Sequence, residues 1–391
     1  MRIGFYLDNS RIQDIDLSRP FEGNPGIGGT EYMFLLISYY LSKEEEFEVH
    51  LYVSCLNSLP QNLIIHRVLN YDDLFRQCEN DAVDYLICRS FGSADVYKKL
   101  NNTNLKVLLW AHNFAKLKEL NIISKCKNVV KYVCVSSRQL DLLYGHSVYK
   151  KSSYIFNSIV SDVYRCCDVK RKSVCYVGSI IPNKGFDVCA KIWRRLYDKY
   201  GDIELDVIGS GRLYNTKTEL GRYGVAKKEY EEVFMPYLLQ NNKLIPQVHF
   251  HGVLNHEEKI KVMASSYIGM PNPTGNTETF GISFVEFEAL GTPVVAKGVC
   301  GIKDTVNEYI CDDEEGIFNS CVEILDLPKE EYSSMSLRAR DFSLKFDIHI
   351  IIKDWIYLLN NIDDIEFHKN SRHTIMDSFI NIVNLCRNVQ V

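Results

Sequence analysis

In the segment NTETFGISFVEFEALGTPVV, Glu278 and Glu286 are separated by seven residues, with Gly281 between them. Each carboxylate can accept hydrogen bonds from two hydroxyl groups, which suits the vicinal diols of ribose and of hexoses. A simpler role stays open, because negative side chains also stabilise a helix N-terminus through its dipole. Glu286 shares a helix face with Ile282 and Leu290, so we do not expect it to be freely solvated. The segment predicts a loop-to-helix junction at which carboxylates meet a sugar.

Two further loops with glycines precede predicted helices, at 26–29 and 178–185. Backbone N–H groups at a helix N-terminus form a natural anion site. A dinucleotide fingerprint would place its glycines directly after the first strand, which ends near Leu7, so we reject that interpretation for 26–29. An ordinary flexible loop is an equal alternative there. The second loop contains Lys184, a point charge suited to phosphate, although a lone lysine in such a loop is more often only solvated.

Short β-branched runs alternate with longer amphipathic stretches through most of the chain. This alternation predicts an α/β protein with two parallel sheets covered by helices, in an N-terminal domain at 1–160 and a C-terminal domain at 165–345. Ligands of open parallel sheets bind at the carboxyl ends of the strands, where all three candidate loops fall. We therefore expect a ligand that carries phosphate in the cleft between the two domains.

Composition limits the class of protein and its location. The chain has 391 residues, is 46% hydrophobic and 24% charged, and has a net charge of −5, which is typical of a globular protein and gives no reason to expect a nucleic-acid partner. It has no apolar run long enough to span a bilayer, and its N-terminus turns polar too soon for a secretory signal. The 13 cysteines show no zinc-site spacing, which favours a reducing, cytoplasmic location.

One segment is basic within this acidic protein. Residues 106–151 contain nine basic residues and only two acidic ones. In the stretch 112–131, apolar residues form a helical stripe and lysines flank it, which is equally consistent with a core-facing helix that has a solvated basic face. The sharper hypothesis is peripheral contact with anionic lipid headgroups on the inner face of the membrane, near a lipid-linked acceptor.

The chain resembles the retaining glycosyltransferases of GT-B fold in the family 4 group. This resemblance rests on the Glu-x7-Glu block and on a series of shorter motifs: GGTE at 28–31, WAHN at 110–113, CVSS at 134–137, FNSI at 156–159, YVGSIIPNKG at 176–185, DVIGSG at 206–211 and FHGVLNHEE at 250–258. It implies two Rossmann-like parallel-sheet domains that face each other across a cleft. It also implies C-terminal helices, at 346–391, that pack back on the N-terminal domain.

The resemblance implies a catalytic set of Glu278, His112 and Lys184. Glu278 would contact the donor sugar, His112 would lie near the reacting sugar, and Lys184 would bind the diphosphate. Glu286 would hold the nucleotide ribose. The donor-binding residues implied in the same way are Gly28, Gly29, Ser179, Lys184, Arg212, Val253, Leu254, Glu278, Thr279, Phe280, Gly281 and Glu286.

Within that set, backbone amides of Thr279, Phe280 and Gly281 would serve the sugar and the phosphate, and the backbone of Gly28 and Gly29 would assist across the cleft. Val253 and Leu254 follow Gly252, at the position where members of the family contact the nucleotide base. Ser179 is a departure, because the family usually has an arginine there. The loss of this cation weakens the expected hold on the diphosphate, and Arg212 is the candidate to compensate.

The implied reaction transfers a hexosyl group, with retention, from a nucleotide-diphosphate sugar to a hydroxyl of a glycan or lipid-linked glycan, as in bacterial cell-surface polysaccharide synthesis. The chain lacks an Asp-x-Asp motif at the cleft, and Asp312-Asp313 comes too late to serve there, so we expect no metal and no other cofactor. Two alternatives remain: a nucleotide-sugar epimerase of the same fold, and a non-catalytic nucleotide-sugar-binding protein.

Overall fold

The computed structural model describes residues 1–166, 170–212 and 217–362, which form two compact α/β units. The first unit consists of Met1–Ser158 together with the described residues from Ile348 to Ile362, and the second consists of the described residues within Ile159–Asp347. The domain limits given above from the sequence stay predictions, and the part of the predicted C-terminal tail beyond 362 lies outside the described residues.

The first unit alternates strands and helices. Its strands are β1 (Arg2–Leu7), β2 (Glu48–Val53), β3 (Ile64–Arg67), β4 (Tyr85–Cys88), β5 (Val107–Ala111), β6 (Val129–Cys134) and β7 (Ser152–Tyr154). Its helices up to Ser158 are α1 (Gly29–Leu41), α2 (Tyr71–Asn80), α3 (Ala94–Leu100), α4 (Leu117–Lys125) and α5 (Ser137–Asp141). The strands pair in parallel in the order β3-β2-β1-β4-β5-β6-β7. This is a Rossmann-like order that reverses between β1 and β4, where such sheets bind ligands.

The middle of this sheet is fully covered. Every residue of β5 is buried, as a strand with helices on both faces requires. Helix α4 turns its apolar stripe inward, since Leu120 and Ile123 are buried, while Lys118 and Lys125 on the same helix are exposed. The basic segment thus includes a core-facing helix with a solvated basic face, and the lipid-contact hypothesis stays a prediction.

The second unit contains a shorter parallel sheet with added strands. Its strands are β8 (Arg171–Val177), β9 (Glu204–Ile208), β10 (Leu239–Gln240), β11 (Lys243–Leu244), β12 (Val248–Gly252), β13 (Ser266–Gly269), β14 (Val295–Lys297) and β15 (Tyr309–Cys311). Its helices are α6 (Phe186–Tyr200), α7 (Lys228–Leu238), α8 (His256–Ser265), α9 (Ile282–Ala289), α10 (Ile302–Thr305), α11 (Glu314–Asp326) and α12 (Lys329–Ser343). The main sheet has the order β12-β9-β8-β13, and a parallel bridge from Gly269 to Val294 leads to the β14-β15 pair.

The last described helix, α13 (Ile348–Asn360), belongs to the first unit and packs against α1. Its Trp355 is fully buried and meets the ring of Trp110, from β5, edge to face at 4.7 Å between centroids. This helix therefore contributes to the core of the N-terminal sheet although it lies nearly 200 residues further along the chain. Among the described helices, none combines the length and the apolar character that a bilayer span requires.

Candidate functional site

Two loops of the second unit bring a lysine and a glutamate together. The chain leaves β8 through a 3₁₀ turn that ends at Lys184 and enters α6 after Gly185, whose φ is 62°. It leaves β13 through a longer loop that contains Glu278 and enters α9 after Gly281. Because β8 and β13 are parallel neighbours, both loops emerge at the same edge of the sheet. There, Lys184 Nζ donates a hydrogen bond to Glu278 Oε1 at 2.6 Å, and the two side chains are only 19% and 14% exposed.

The loop before α9 fixes the position of Glu278. Asn272 Nδ2 donates to Glu278 Oε1 at 3.0 Å and also to the carbonyl of Asn276 at 3.0 Å. Gly281 has a φ of 85°, and a Cβ there would lie 2.6 Å from the ring of Phe284, so only glycine fits this start of the helix. The sequence analysis did not identify Asn272, although it stands in the loop MPNPTGN directly after β13.

Thr279 and Phe280, which were predicted to present backbone amides, have buried side chains that are 6% and 1% exposed. The ring of Phe280 packs against that of Phe346 at 5.4 Å, and its carbonyl accepts a hydrogen bond from Thr305 Oγ1. Since the side chains point into the protein, a ligand would meet these residues through the backbone.

Glu286 lies in α9 and is 3% exposed, so its carboxylate needs partners. Its Oε1 accepts a hydrogen bond from the hydroxyl of Tyr164 at 2.8 Å and another from Lys259 Nζ, in α8, at 2.7 Å. The structure thus joins Glu286 to two residues that the sequence analysis missed. Lys259 directly follows the FHGVLNHEE motif, but nothing in that motif indicates the distant acid.

His256 completes this group. Its ring lies 5.8 Å from that of Tyr164, and neither of its nitrogens has a hydrogen-bond partner among the described residues. Burial, together with the positive charge of Lys259, lowers the pKa of His256 to about 4, and Glu286 acts in the opposite direction. A neutral imidazole with unused hydrogen-bonding nitrogens therefore stands beside Glu286.

Two predicted diphosphate residues have protein partners here. Ser179 is 1% exposed, and its hydroxyl donates to the carbonyl of Ser210 at 3.4 Å. Arg212 Nε donates to the carbonyl of Thr218 at 2.9 Å. Arg212 is thus anchored to Thr218, six residues further along the chain, and its predicted role in place of the missing arginine stays a prediction.

The predicted base-contacting residues follow the end of β12. Gly252, with a φ of 69°, ends the strand, Val253 is 56% exposed, and Leu254 is half-buried. Next to them, Gly209 approaches Gly178 so closely that a Cβ at position 209 would collide with the carbonyl of residue 178. This contact holds the ends of β8 and β9 together, and the N–H of Gly209 also donates to the carbonyl of Gly252, at the end of β12, at 2.7 Å.

In the first unit, the predicted residues also lie at carboxyl ends of strands. Gly28 is the N-cap of α1, whose first residue is Gly29, and a Cβ at position 28 would collide with the carboxylate of Glu31. Glu31 in turn pairs with Arg89, just after β4, at 3.3 Å. His112 follows β5 and is 9% exposed, and burial, with the charge of Arg89, lowers its pKa to about 3. The sequence analysis missed Glu31 and Arg89.

The known proteins most informative about this arrangement are glycosyltransferases. Residues 167–319 match the family model described as Glycosyl transferases group 1. An uncharacterised glycosyltransferase of Haemophilus influenzae is 25% identical over 274 residues, which cover 66% of this chain and 70% of that protein. Sucrose-phosphate synthase from Thermosynechococcus elongatus has a similar structure, with a TM-score of 0.70 at 15% identity over 93% of this chain and 99% of the other. HepE from Anabaena, in complex with UDP and glucose, gives a TM-score of 0.66 at 13% identity, over 92% and 99%.

These similarities confirm the predicted fold class, α/β of GT-B type with Rossmann-like parallel sheets. The matched segment 167–319 contains the Lys184–Glu278 contact, Glu286, Lys259 and His256, whereas Tyr164 lies just before it. Together, the family model and the Haemophilus influenzae relative support a glycosyltransferase.

Proposed function

We propose that the protein is a retaining hexosyltransferase of the family 4 group, which uses a nucleotide-diphosphate sugar as donor and an acceptor hydroxyl. The observation that carries this proposal is the 2.6 Å contact between Lys184 Nζ and Glu278 Oε1 at the edge of one parallel sheet. Two oppositely charged, largely buried groups on adjacent loops are suited to a ligand with phosphate at one end and hydroxyls at the other.

In this proposal, Lys184 exchanges its carboxylate partner for the donor diphosphate. Glu278 then accepts hydrogen bonds from hydroxyls of the sugar. As the glycosyl bond breaks, negative charge grows on the departing phosphate, and a fixed cation and helix N-terminal amides stabilise that charge where it develops. With retention, the departing phosphate itself takes the proton of the acceptor hydroxyl, and no protein nucleophile is needed.

Glu286 is the proposed ribose ligand. Its Oε1 is occupied by Tyr164 and Lys259, so Oε2 is the oxygen that would accept the ribose hydroxyls. His256, with its unused nitrogens, is positioned in the same group to accept or donate a further hydrogen bond. His112, in the first unit, is kept neutral at physiological pH by its lowered pKa, so it would act near the sugar as a hydrogen-bonding group and not as a cation.

A UDP-sugar is the first donor to test, because HepE has been crystallised with UDP-glucose. The proposed acceptor is a glycan or lipid-linked glycan of the bacterial cell surface, and the reaction is proposed to require no metal. We also propose a cytoplasmic location with peripheral membrane contact through 112–131. The lysines that would make this contact are all exposed: Lys116, Lys118, Lys125 and Lys127.

The main experiment measures UDP binding by calorimetry and sugar transfer or donor hydrolysis with UDP-, GDP- and ADP-sugars. Glu286→Gln should weaken UDP binding about 10- to 100-fold, since a hydrogen bond to a charged group contributes about 1.5–3 kcal/mol. Glu278→Ala should retain UDP binding and lose most of the transfer. Glu257→Ala, which removes an exposed acid of α8 that pairs with Lys261, is the matched control and should change neither quantity.

Each alternative has its own result. If both glutamate variants behave like Glu257→Ala, the assignment of the site is wrong. Tight donor binding without any turnover would identify a non-catalytic nucleotide-sugar-binding protein. Isomerisation of the donor sugar in the absence of an acceptor would identify an epimerase.

The proposed membrane contact is tested by sedimentation with vesicles. The protein should sediment with anionic vesicles at low salt and be released at high salt, because each lysine near the surface contributes about 1 kcal/mol. Exchange of the four exposed lysines for glutamine should abolish this sedimentation while UDP binding is unchanged. Equal recovery with neutral and anionic vesicles would instead mean that the lysines form only a solvated face.

A further inference from the structure

Two histidines and an aspartate meet near one edge of the sheet in the first unit, away from every residue assigned a role above. His50 lies on β2, His66 lies on the edge strand β3, and Asp81 is the C-cap of α2. His50 Nδ1 is 2.9 Å from His66 Nε2, and His66 Nδ1 is 3.5 Å from Asp81 Oδ2. Each of the three residues offers one ligand atom within 4.8 Å of the other two.

The rings of His50 and His66 face each other through one nitrogen each. The ring planes differ by only 13° and the centroids are 5.1 Å apart, so the rings meet edge to edge with nitrogen facing nitrogen. His50 Nε2 is 2.9 Å from Glu48 Oε1, and a carboxylate can only accept, so Nε2 carries the hydrogen and Nδ1 presents a lone pair to His66. His66 either donates to this lone pair from Nε2–H or, as the tautomer with its hydrogen on Nδ1, presents a second lone pair there. In the second tautomer, a cation ligated by both nitrogens takes the place of the hydrogen bond.

We propose that His50, His66 and Asp81 form a zinc site. Imidazole nitrogens and a carboxylate oxygen are ordinary zinc ligands, and a water can fill the fourth position because the side chains of His66 and Asp81 are 21% and 26% exposed. Zinc–nitrogen bonds of about 2.0–2.1 Å in a tetrahedron separate two nitrogens by about 3.3 Å. The two nitrogens therefore need to move apart by about 0.4 Å, and the rings need to tilt so that both lone pairs point at the ion, a change that the short edge strand β3 can accommodate.

The groups around the three ligands already have the arrangement that metal sites use. A carboxylate behind a ligating histidine fixes its tautomer and raises its basicity, and Glu48 has this relation to His50. The hydroxyl of Tyr52 donates to Asp81 Oδ2 at 2.8 Å, which leaves Oδ1 as the oxygen that would ligate the ion. The bound zinc would tie the edge strand and the end of α2 to the sheet. It would take no part in sugar transfer, so a metal-independent reaction is compatible with it.

The test uses the full-length protein after removal of metal by a chelator. Zinc is titrated in competition with a chromophoric indicator, and the wild type should bind one equivalent that His50→Gln and His66→Gln both lose. Glu48→Gln should keep the site but weaken it about 10- to 100-fold. His251→Gln is the matched control, since His251 also lies on a strand and pairs with an aspartate, Asp206, at 2.8 Å, and it should bind zinc like the wild type.

Two further measurements separate this site from other causes of zinc binding. Cysteines are the main competing ligands, so Co²⁺ is added in place of zinc: the proposed site should give visible d–d bands without thiolate-to-cobalt charge transfer. Zinc should raise the melting temperature of the wild type and of His251→Gln but not that of His66→Gln, whose partly exposed position makes it the variant most certain to fold. The proposal is overturned if the wild type does not bind one equivalent of zinc or if the histidine variants still bind it. It is also overturned if the cobalt spectrum shows thiolate-to-cobalt charge transfer.

Discussion

Lys259→Met tests whether Lys259 and Glu286 form a buried ion pair whose disruption destabilises the folded protein. Lys259 and Glu286 are 13% and 4% exposed, and their charged atoms are 2.7 Å apart. Removal of one partner from a buried ion pair costs about 3–5 kcal/mol, because the other charge stays buried without compensation. Tyr164 still donates to Glu286 in the variant, so we expect the lower end, about 3 kcal/mol, or more than a hundredfold in the folding equilibrium.

The assay is urea unfolding. The midpoint concentrations of wild type and variant are compared, provided that the slope of the unfolding free energy against urea concentration is unchanged. Lys261→Met is the matched control: Lys261 lies in the same helix and pairs with Glu257 at 2.7 Å, but both side chains are exposed, so its loss should cost about 0.5 kcal/mol or less. The double variant Lys259→Met/Glu286→Leu should recover most of the lost stability, since it removes both charges. Equal midpoints for the two single lysine variants would refute the idea that Lys259 and Glu286 are a desolvated pair.

Two further predictions concern the cores of the two units. Burial raises the pKa of Glu288 from 4.5 to about 8, so between these values the folded protein keeps a proton that the unfolded chain releases, and stability falls as the pH rises through this window. Glu288→Gln should flatten that decline in melting temperature between pH 5 and pH 9, and a variant with the wild-type slope would show that another group is responsible. Trp355→Ala should destabilise the first unit by about 3–5 kcal/mol and shift the fluorescence of Trp110, whereas an unchanged urea midpoint would mean that α13 is not part of that core.

Strand prediction succeeded where a segment is long and buried. The first strand was predicted to end near Leu7, and β1 has the bounds Arg2–Leu7 in the structure. The sequence analysis missed β3, whose residues IIHR are half-buried or exposed, and β15, which has only three residues. Edge strands of this kind lack the continuous apolar pattern on which the prediction depends.

In the candidate site, too, features formed by residues close in sequence were predicted, whereas contacts between residues far apart in sequence were not. Loops with glycine, Lys184 and Glu278 are visible as motifs because their residues are close in sequence. Lys259 and Tyr164 reach Glu286 from 27 and 122 residues away, and no spacing rule connects them. The structure alone therefore reveals that the proposed ribose ligand is already held on one oxygen before any nucleotide binds.

The contrast between Glu286 and Glu288 shows why a carboxylate in this helix cannot be interpreted from sequence alone. Both acids lie in α9, both are at most 3% exposed, and only one residue separates them. Glu286 has a cation and a hydroxyl as partners, whereas Glu288 accepts one hydrogen bond, from the backbone of Asn307 at 3.0 Å, and its Oε2 has no partner among the described residues. Neighbouring elements thus supply a cation and a hydroxyl to one acid and favour the protonated form of the other.

This contrast also supplies an internal control for the proposed function. Glutamine at either position keeps the volume of the side chain, so both variants perturb the packing of α9 to a similar extent. If Glu286 contacts the ribose, only Glu286→Gln weakens UDP binding, and Glu288→Gln binds UDP like the wild type at pH 7. An equal loss in both variants would mean that UDP binding responds to the packing of the helix, and the role of Glu286 as a direct ligand would then be wrong.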